Sequence, residues 1–133
     1  MDLFSSEEDF TPNREKQLRG LRLILEQPSR GRIFVLRNHK KIVGMINLLI
    51  TISTAEGGFV LILEDLVIRQ EHRGQGYGSQ LLKHAIDFAK QKKFLRITLL
   101  TDKPNESRKF YLKHGFTESG MVPMRLYFAS NES

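Results

Sequence analysis

The chain has 133 residues, 40% hydrophobic and 27% charged, the composition of an ordinary globular protein at about one domain's length. It contains no cysteine, which excludes disulfides, thiol nucleophiles, cysteine-attached haem and every cysteine-ligated zinc or iron–sulfur centre. With 21 Lys and Arg against 15 Asp and Glu the net charge is +6, and the acids bunched at Glu7, Glu8 and Asp9 leave the body more basic still, a field that attracts nucleic acid or a phosphorylated small molecule.

The N-terminal run Met1-Asp2-Leu3-Phe4-Ser5 lacks the basic start of a secretory signal, and no apolar stretch reaches the ~20 residues that span a bilayer. The expectation is a cytoplasmic protein that does not enter a membrane. Thr11-Pro12 suits a helix start, and Leu18, Leu21 and Leu25 recur at helical spacing with Ile24 beside them, up to a stop at Pro28. Ile33–Arg37 and Ile42–Ile52 are rich in β-branched and aliphatic residues, with Asn38-His39-Lys40 as the turn between them. Gly57-Gly58 then separates a third strand, Phe59–Ile68.

After a polar, glycine-rich loop, Leu81, Leu82, Ala85, Phe88 and Ala89 mark an amphipathic helix of about four turns. Leu95–Leu99 alternates as a half-buried strand. Asp102-Lys103-Pro104-Asn105 breaks it, Glu106–Lys113 reads as a short helix stopped by Gly115, and Met121–Phe128 reads as an edge strand because Pro123 lacks a donor. This order predicts one α/β (α+β) domain, with a mixed, largely antiparallel sheet flanked by helices.

The most informative residues are Arg73-Gly74-Gln75-Gly76-Tyr77-Gly78, between a strand and a helix. A helix N-terminus exposes unpaired amides at the positive end of its dipole, and glycines let a bulky anion approach them. Arg73 adds a forked, permanently charged donor. A pyrophosphate suits this arrangement, with a plain tight helix entry as the alternative. The Walker pattern fails because no Gly-Lys-Ser/Thr follows. A Rossmann fingerprint is opposed by the G-x-G-x-G spacing, by the polar stretch Arg69–His72 after the strand and by the short remaining chain, although Asp102 lies where a ribose-binding acid would be expected.

The run from Val67 to Leu82 resembles the acetyl-CoA-binding motif of the GNAT superfamily of N-acetyltransferases, whose core is Gln/Arg-x-x-Gly-x-Gly/Ala. A second family motif is resembled by Asn105 to Phe116, with its Phe110-Tyr111 and Gly115-Phe116 pairs. The resemblance covers about residues 14–128 of a single domain, 1–133. It implies acetyl-CoA as cosubstrate and a cleft where the strand before the loop splays from the next one. It places Leu66, Val67 and Ile68 on the pantetheine, and Arg73, Gly74, Gln75, Gly76, Tyr77, Gly78 and Ser79 on the pyrophosphate. Asn105 falls near the pantetheine and Tyr111 near the CoA sulfur. The chain departs from the family in its polar, acidic start, where the usual first strand is missing or very short, and in Tyr77, which stands where an aliphatic residue is more common.

Acetyl transfer to an amine needs the amine neutral and the departing thiolate protonated or tolerated. Glu64-Asp65 interrupts an apolar strand, where a carboxylate must be hydrogen-bonded or face a cavity, and burial would raise its pKa into a useful range. Glu64 is the candidate base, with a structural or acceptor-binding role as its alternative. Adjacent strand residues face opposite sides, so Asp65 joins it only at a bulge. Tyr111 is the candidate acid, or else an aromatic anchor beside Phe110 and Phe116. Asn105 binds CoA or caps a helix. His39, His72, His84 and His114 are scattered and read as surface residues, so no metal is expected. The reading is an N-acetyltransferase acting on a small-molecule or protein amine by direct attack in a ternary complex, with a non-catalytic acyl-CoA-binding module as the alternative. No nucleic-acid partner is expected, and a homodimer is left open.

Overall fold

Three long apolar runs dominate the chain, and each becomes a strand because β-branched and aliphatic side chains fill a pleated, two-sided surface. They are β1 (Gly31–Asn38), β2 (Lys41–Ser53) and β3 (Gly58–Ile68). The computed structural model describes residues 14–101 and 106–128. Two compact units divide the chain, Met1–Leu100 and Thr101–Ser133.

In the first unit β1, β2 and β3 form an antiparallel meander, and a two-residue β4 (Ile97–Thr98) pairs parallel to β3 at Leu61 and Ile62. The sheet is therefore mixed, with order β1-β2-β3-β4. Helix α1 (Arg14–Leu25) precedes β1, and α2 (Tyr77–Gln91) joins β3 to β4. Strand alternation separates two cores. Met45 and Val67 share one face with Ile33 and Ile42, packed on Leu18 and Leu21 of α1. Gly44, Ile46 and Leu48 lie on the opposite face, where Leu81 of α2 approaches Gly44. Phe34 of β1 meets His84 and Phe88 of α2 edge-on, with ring centroids 4.6 and 5.1 Å away.

Several boundaries differ from those expected. The inward stripe of α1 runs through Leu18 and Leu21 to Ile24, whose methyl lies beside Gly31, while Leu25 is exposed. Strand β4 is shorter than Leu95–Leu99. The amides of Leu95 and Leu61 reach across to Phe59 and Arg96 carbonyls, but no pairing follows Thr98. The second unit holds α3 (Glu106–Lys113), ended by Gly115 at φ +96°. Met121–Phe128 forms no strand there, since a strand exists only by pairing and this unit describes no other. The expected missing first strand and the Thr11-Pro12 helix start fall outside the described residues, as do Asp102 to Asn105.

Candidate functional site

The site begins with the backbone of β3. Arg69 donates its amide to Val43 of β2 at 2.8 Å, so alternation along an antiparallel ladder turns the backbone groups of Val67 towards β2 and those of Leu66 and Ile68 away from it. Lower on the same strand the outward groups of Phe59 and Leu61 meet β4. Because β4 ends at Thr98, the outward edge from Leu63 to Ile68 has no strand partner among the described residues. Arg73 covers part of it by donating its Nε to the Ile68 carbonyl at 2.9 Å.

A bulge interrupts the β2–β3 ladder where Asn47 faces Asp65 but Leu48 faces Leu63, leaving Glu64 as the extra residue. The two carboxylates thereby separate. Asp65 is half-buried and accepts a hydrogen bond of 3.1 Å from Asn47 Nδ2, while Glu64 is exposed, contrary to the burial expected from its apolar neighbours. Asn47 itself is only 3% exposed and its Oδ1 has no partner among the described residues. Sequence reasoning passed over this residue, although a lone amide inside the apolar run Met45 to Ile50 was a visible signal.

Beyond β3 the chain makes one 3-10 turn, Gln70–His72, then the glycines. Gly74 and Gly76 both adopt the left-handed region, at φ +79° and +82°, and a Cβ built on either would meet no atom within 4 Å. Gly76 is the N-cap of α2 and offers no side-chain cap, so the first-turn amides of Tyr77, Gly78 and Ser79 stay unpaired within the helix. Among the described residues no amide from Gly74 to Ser79 donates to a backbone carbonyl. Open space, positive φ and free donors meet at one turn.

Neighbouring side chains hold this turn in place. Arg69, 9% exposed, pairs with Glu71 at 3.2 Å. A backbone amide hydrogen bond, then Arg69, holds the Glu71 carboxyl below its ordinary value. Asn38, from the β1–β2 turn, donates Nδ2 to the Tyr77 hydroxyl at 3.1 Å, and the ring of His72 lies 6.1 Å from that of Tyr77. His72 is half-buried rather than on the surface, with Nε2 lacking a partner among the described residues, and His114 is half-buried with Nδ1 2.9 Å from the Phe110 carbonyl.

In the second unit Tyr111 lies on α3, with Phe110 and Phe116 edge-on at 5.1 and 5.5 Å. Burial pushes its hydroxyl above the ordinary value of 10.0. Asn105 is outside the described residues. No group of three or more potential metal ligands occurs among the described residues, and no described helix is long and apolar enough to cross a membrane.

The family model for acetyltransferases of the GNAT type matches residues 1–116, through both the glycine turn and α3. The chain belongs to the acetyltransferase (GNAT) family of acyltransferases. Two relatives are similar to this family member over part of its length. One is "Probable glucosamine 6-phosphate N-acetyltransferase 2" from Oryza sativa subsp. japonica, 36% identical over 72 residues, 54% of this chain and 42% of the relative. The other is streptothricin acetyltransferase A from Bacillus subtilis (strain 168), 38% identical over 79 residues, 59% of this chain and 44% of the relative. These matches therefore span less than half the length of either curated relative. An integron cassette protein from the mobile metagenome of Cole Harbour Salt Marsh has the same fold, with a TM-score of 0.78 at 24% identity, over 94% of this chain and 78% of its own.

Proposed function

We propose that residues 1–133 form one N-acetyltransferase domain that moves the acetyl group of acetyl-CoA to a primary amine by direct attack in a ternary complex. The observation that carries the reading is the glycine turn: unpaired amides, a left-handed N-cap and open space where a side chain would otherwise stand, next to an unpaired strand edge. A phosphate cradle needs these features together, so the residues fit the cofactor. Bound acetyl-CoA supplies an activated acyl thioester.

The chain's own residues do the remaining work. The amides from Gly74 to Ser79 hold the pyrophosphate, and Arg73 adds its charge. The outward backbone groups of Leu66 and the amide of Ile68, whose carbonyl already accepts from Arg73, bind the pantetheine arm as a strand would, with Val67 packing beneath them, and Asn105 binds the same arm. Glu64, standing in solvent at the bulge, takes the proton that the attacking nitrogen gives up, directly or through a water. Tyr111, whose hydroxyl burial holds above its ordinary value, supplies a proton to the departing sulfur.

Glucosamine 6-phosphate and streptothricin, in the names of the two relatives, both carry amines, which supports a small amine-bearing acceptor. A thiol-release assay with acetyl-CoA tests this against both compounds, a polyamine, an aminoglycoside and a lysine-containing peptide. Amine-dependent release is expected with at least one of them. Binding of acetyl-CoA without release in any mixture would overturn transfer and leave a non-catalytic acyl-CoA-binding module.

A further inference from the structure

We propose that Lys41, at the base of the β1–β2 turn, is a further cofactor-binding residue that takes the 3′-phosphate of CoA. The inference rests on the acetyl-CoA reading above and extends it to an element that neither the glycine motif nor α3 contains. The argument starts from register. Leu36 pairs with Gly44 but Arg37 pairs with Ile42, so Val43 is an extra residue on β2 and the last pair is Asn38 with Lys41. Cross-strand partners share a face of the sheet. The Asn38 side chain reaches the Tyr77 hydroxyl on the first residue of α2, so Lys41 stands on the α2 face as well.

Electrostatics agree with that placement: after a backbone hydrogen bond and Arg69, the charge of Lys41 is the smallest of the influences that lower the carboxyl of Glu71, in the 3-10 turn just before the glycines. Lys41 thus stands on the sheet face that carries the Asn38–Tyr77 hydrogen bond, near enough to Glu71 for its charge to be felt there. It is exposed, and no ion pair joins it to Glu71 among the described residues, where the short pair of Glu71 is with Arg69.

The chemistry then selects the phosphate. The loop amides form a concave row of fixed dipoles suited to the bridging pyrophosphate. A lysine is a compact point charge on a flexible stem, suited to a terminal phosphate dianion outside that row. CoA carries one such group, on the ribose 3′ position, and dephospho-CoA lacks it. The surplus of basic residues gains a specific member, since this cation comes from a turn distant in sequence from the phosphate loop.

The test is isothermal titration of wild type, Lys41→Gln, Lys41→Arg and Lys90→Gln with CoA and dephospho-CoA in 0.1 M salt. Lys90 is a control for charge alone, because it lies 13 residues along α2 from Tyr77, roughly 20 Å away, beyond the ~10 Å screening length at 0.1 M salt. Lys41→Gln should weaken CoA about three- to tenfold and leave dephospho-CoA unchanged, so that the preference of the wild type for CoA disappears. Lys41→Arg should retain the preference, and Lys90→Gln should not alter it. Equal losses for both ligands, or none, would overturn the assignment of Lys41 while leaving the acetyl-CoA reading intact. Failure of the wild type to bind either ligand would overturn that reading and this proposal with it.

Discussion

Gly76 is the residue on which the cofactor reading turns, because its φ of +82° favours glycine and its missing side chain leaves the cradle open. Gly76→Val puts a β-branched group at a left-handed position and in the space assigned to the pyrophosphate. The expected result is a folded protein whose CoA affinity falls at least tenfold by titration calorimetry, and an unchanged affinity would show that the turn holds no phosphate. Tyr111 separates two roles in one substitution. Tyr111→Phe keeps the ring against Phe110 and Phe116, so packing alone predicts little loss, whereas removal of a general acid typically costs about 10²–10⁴-fold. A thiolate leaves tolerably well unprotonated, so the low end is expected, in kcat with KM for acetyl-CoA nearly constant, and kcat within threefold of wild type would leave Tyr111 as a packing residue. The same hydroxyl sets a pH dependence. Its folded-state pKa lies above 10.0, so its stabilising effect is complete below that value and is lost as pH rises through the unfolded and then the folded pKa. Denaturant titrations from pH 9 to 11.5 should show a steeper alkaline loss in wild type than in Tyr111→Phe.

At the scale of elements, β2 and β3 form the part of the molecule that aims the site, and Gly44 is where they are tightest. A Cβ there would lie 2.5 Å from Ile68 Cδ1, 3.1 Å from Leu81 Cδ1 and 3.0 Å from the Val67 carbonyl. Ile68 and Leu81 can shift at their tips, but the carbonyl belongs to the ladder. Gly44→Val should therefore destabilise the protein by about 1–3 kcal/mol, read as a lower urea midpoint, and should weaken CoA binding by displacing Ile68 at the mouth of the loop. An unaltered midpoint would mean that the ladder relaxes freely there. These strands were legible in the sequence because their periodicity and turn residues are local signals, as were α2 and the glycine turn. The bulge at Glu64 was not. Nothing in Leu63-Glu64-Asp65-Leu66 distinguishes a bulged strand from a regular one, and only pairing with β2 shows that Asn47 engages Asp65 and leaves Glu64 in solvent. The extent of β4 was equally hidden, since Leu95–Leu99 alternates over five residues but pairs through two, and how far two strands stay together depends on their divergence rather than on either sequence. For Met121–Phe128 the pattern of a strand was present without a partner strand in its unit.

For the whole molecule, the charge of +6 and the open glycine turn lead to the same expectation, that a polyanionic cofactor binds the native chain and not the unfolded one. Such a ligand stabilises by mass action, about 2.7 kcal/mol at a hundredfold excess over its Kd. For a chain of this size each kcal/mol moves Tm by roughly 3–6 °C, so saturating acetyl-CoA should raise Tm by on the order of 10 °C. Two controls give the measurement its meaning. NADH also carries a pyrophosphate but lacks the pantetheine arm that the unpaired edge from Leu63 to Ile68 would bind, so at equal concentration it should shift Tm by no more than a degree or so. Raising salt from 0.05 to 0.5 M shortens the screening length from about 14 to 4 Å, which should shrink the acetyl-CoA shift without abolishing it, because the amides of the turn and the strand edge are not screened as exposed charges are. A shift that vanishes entirely with salt would reduce the cofactor contact to the general attraction of a basic protein for polyanions. Stabilisation by NADH with indifference to acetyl-CoA would instead give the glycine turn to a dinucleotide and overturn the acetyl-transfer reading.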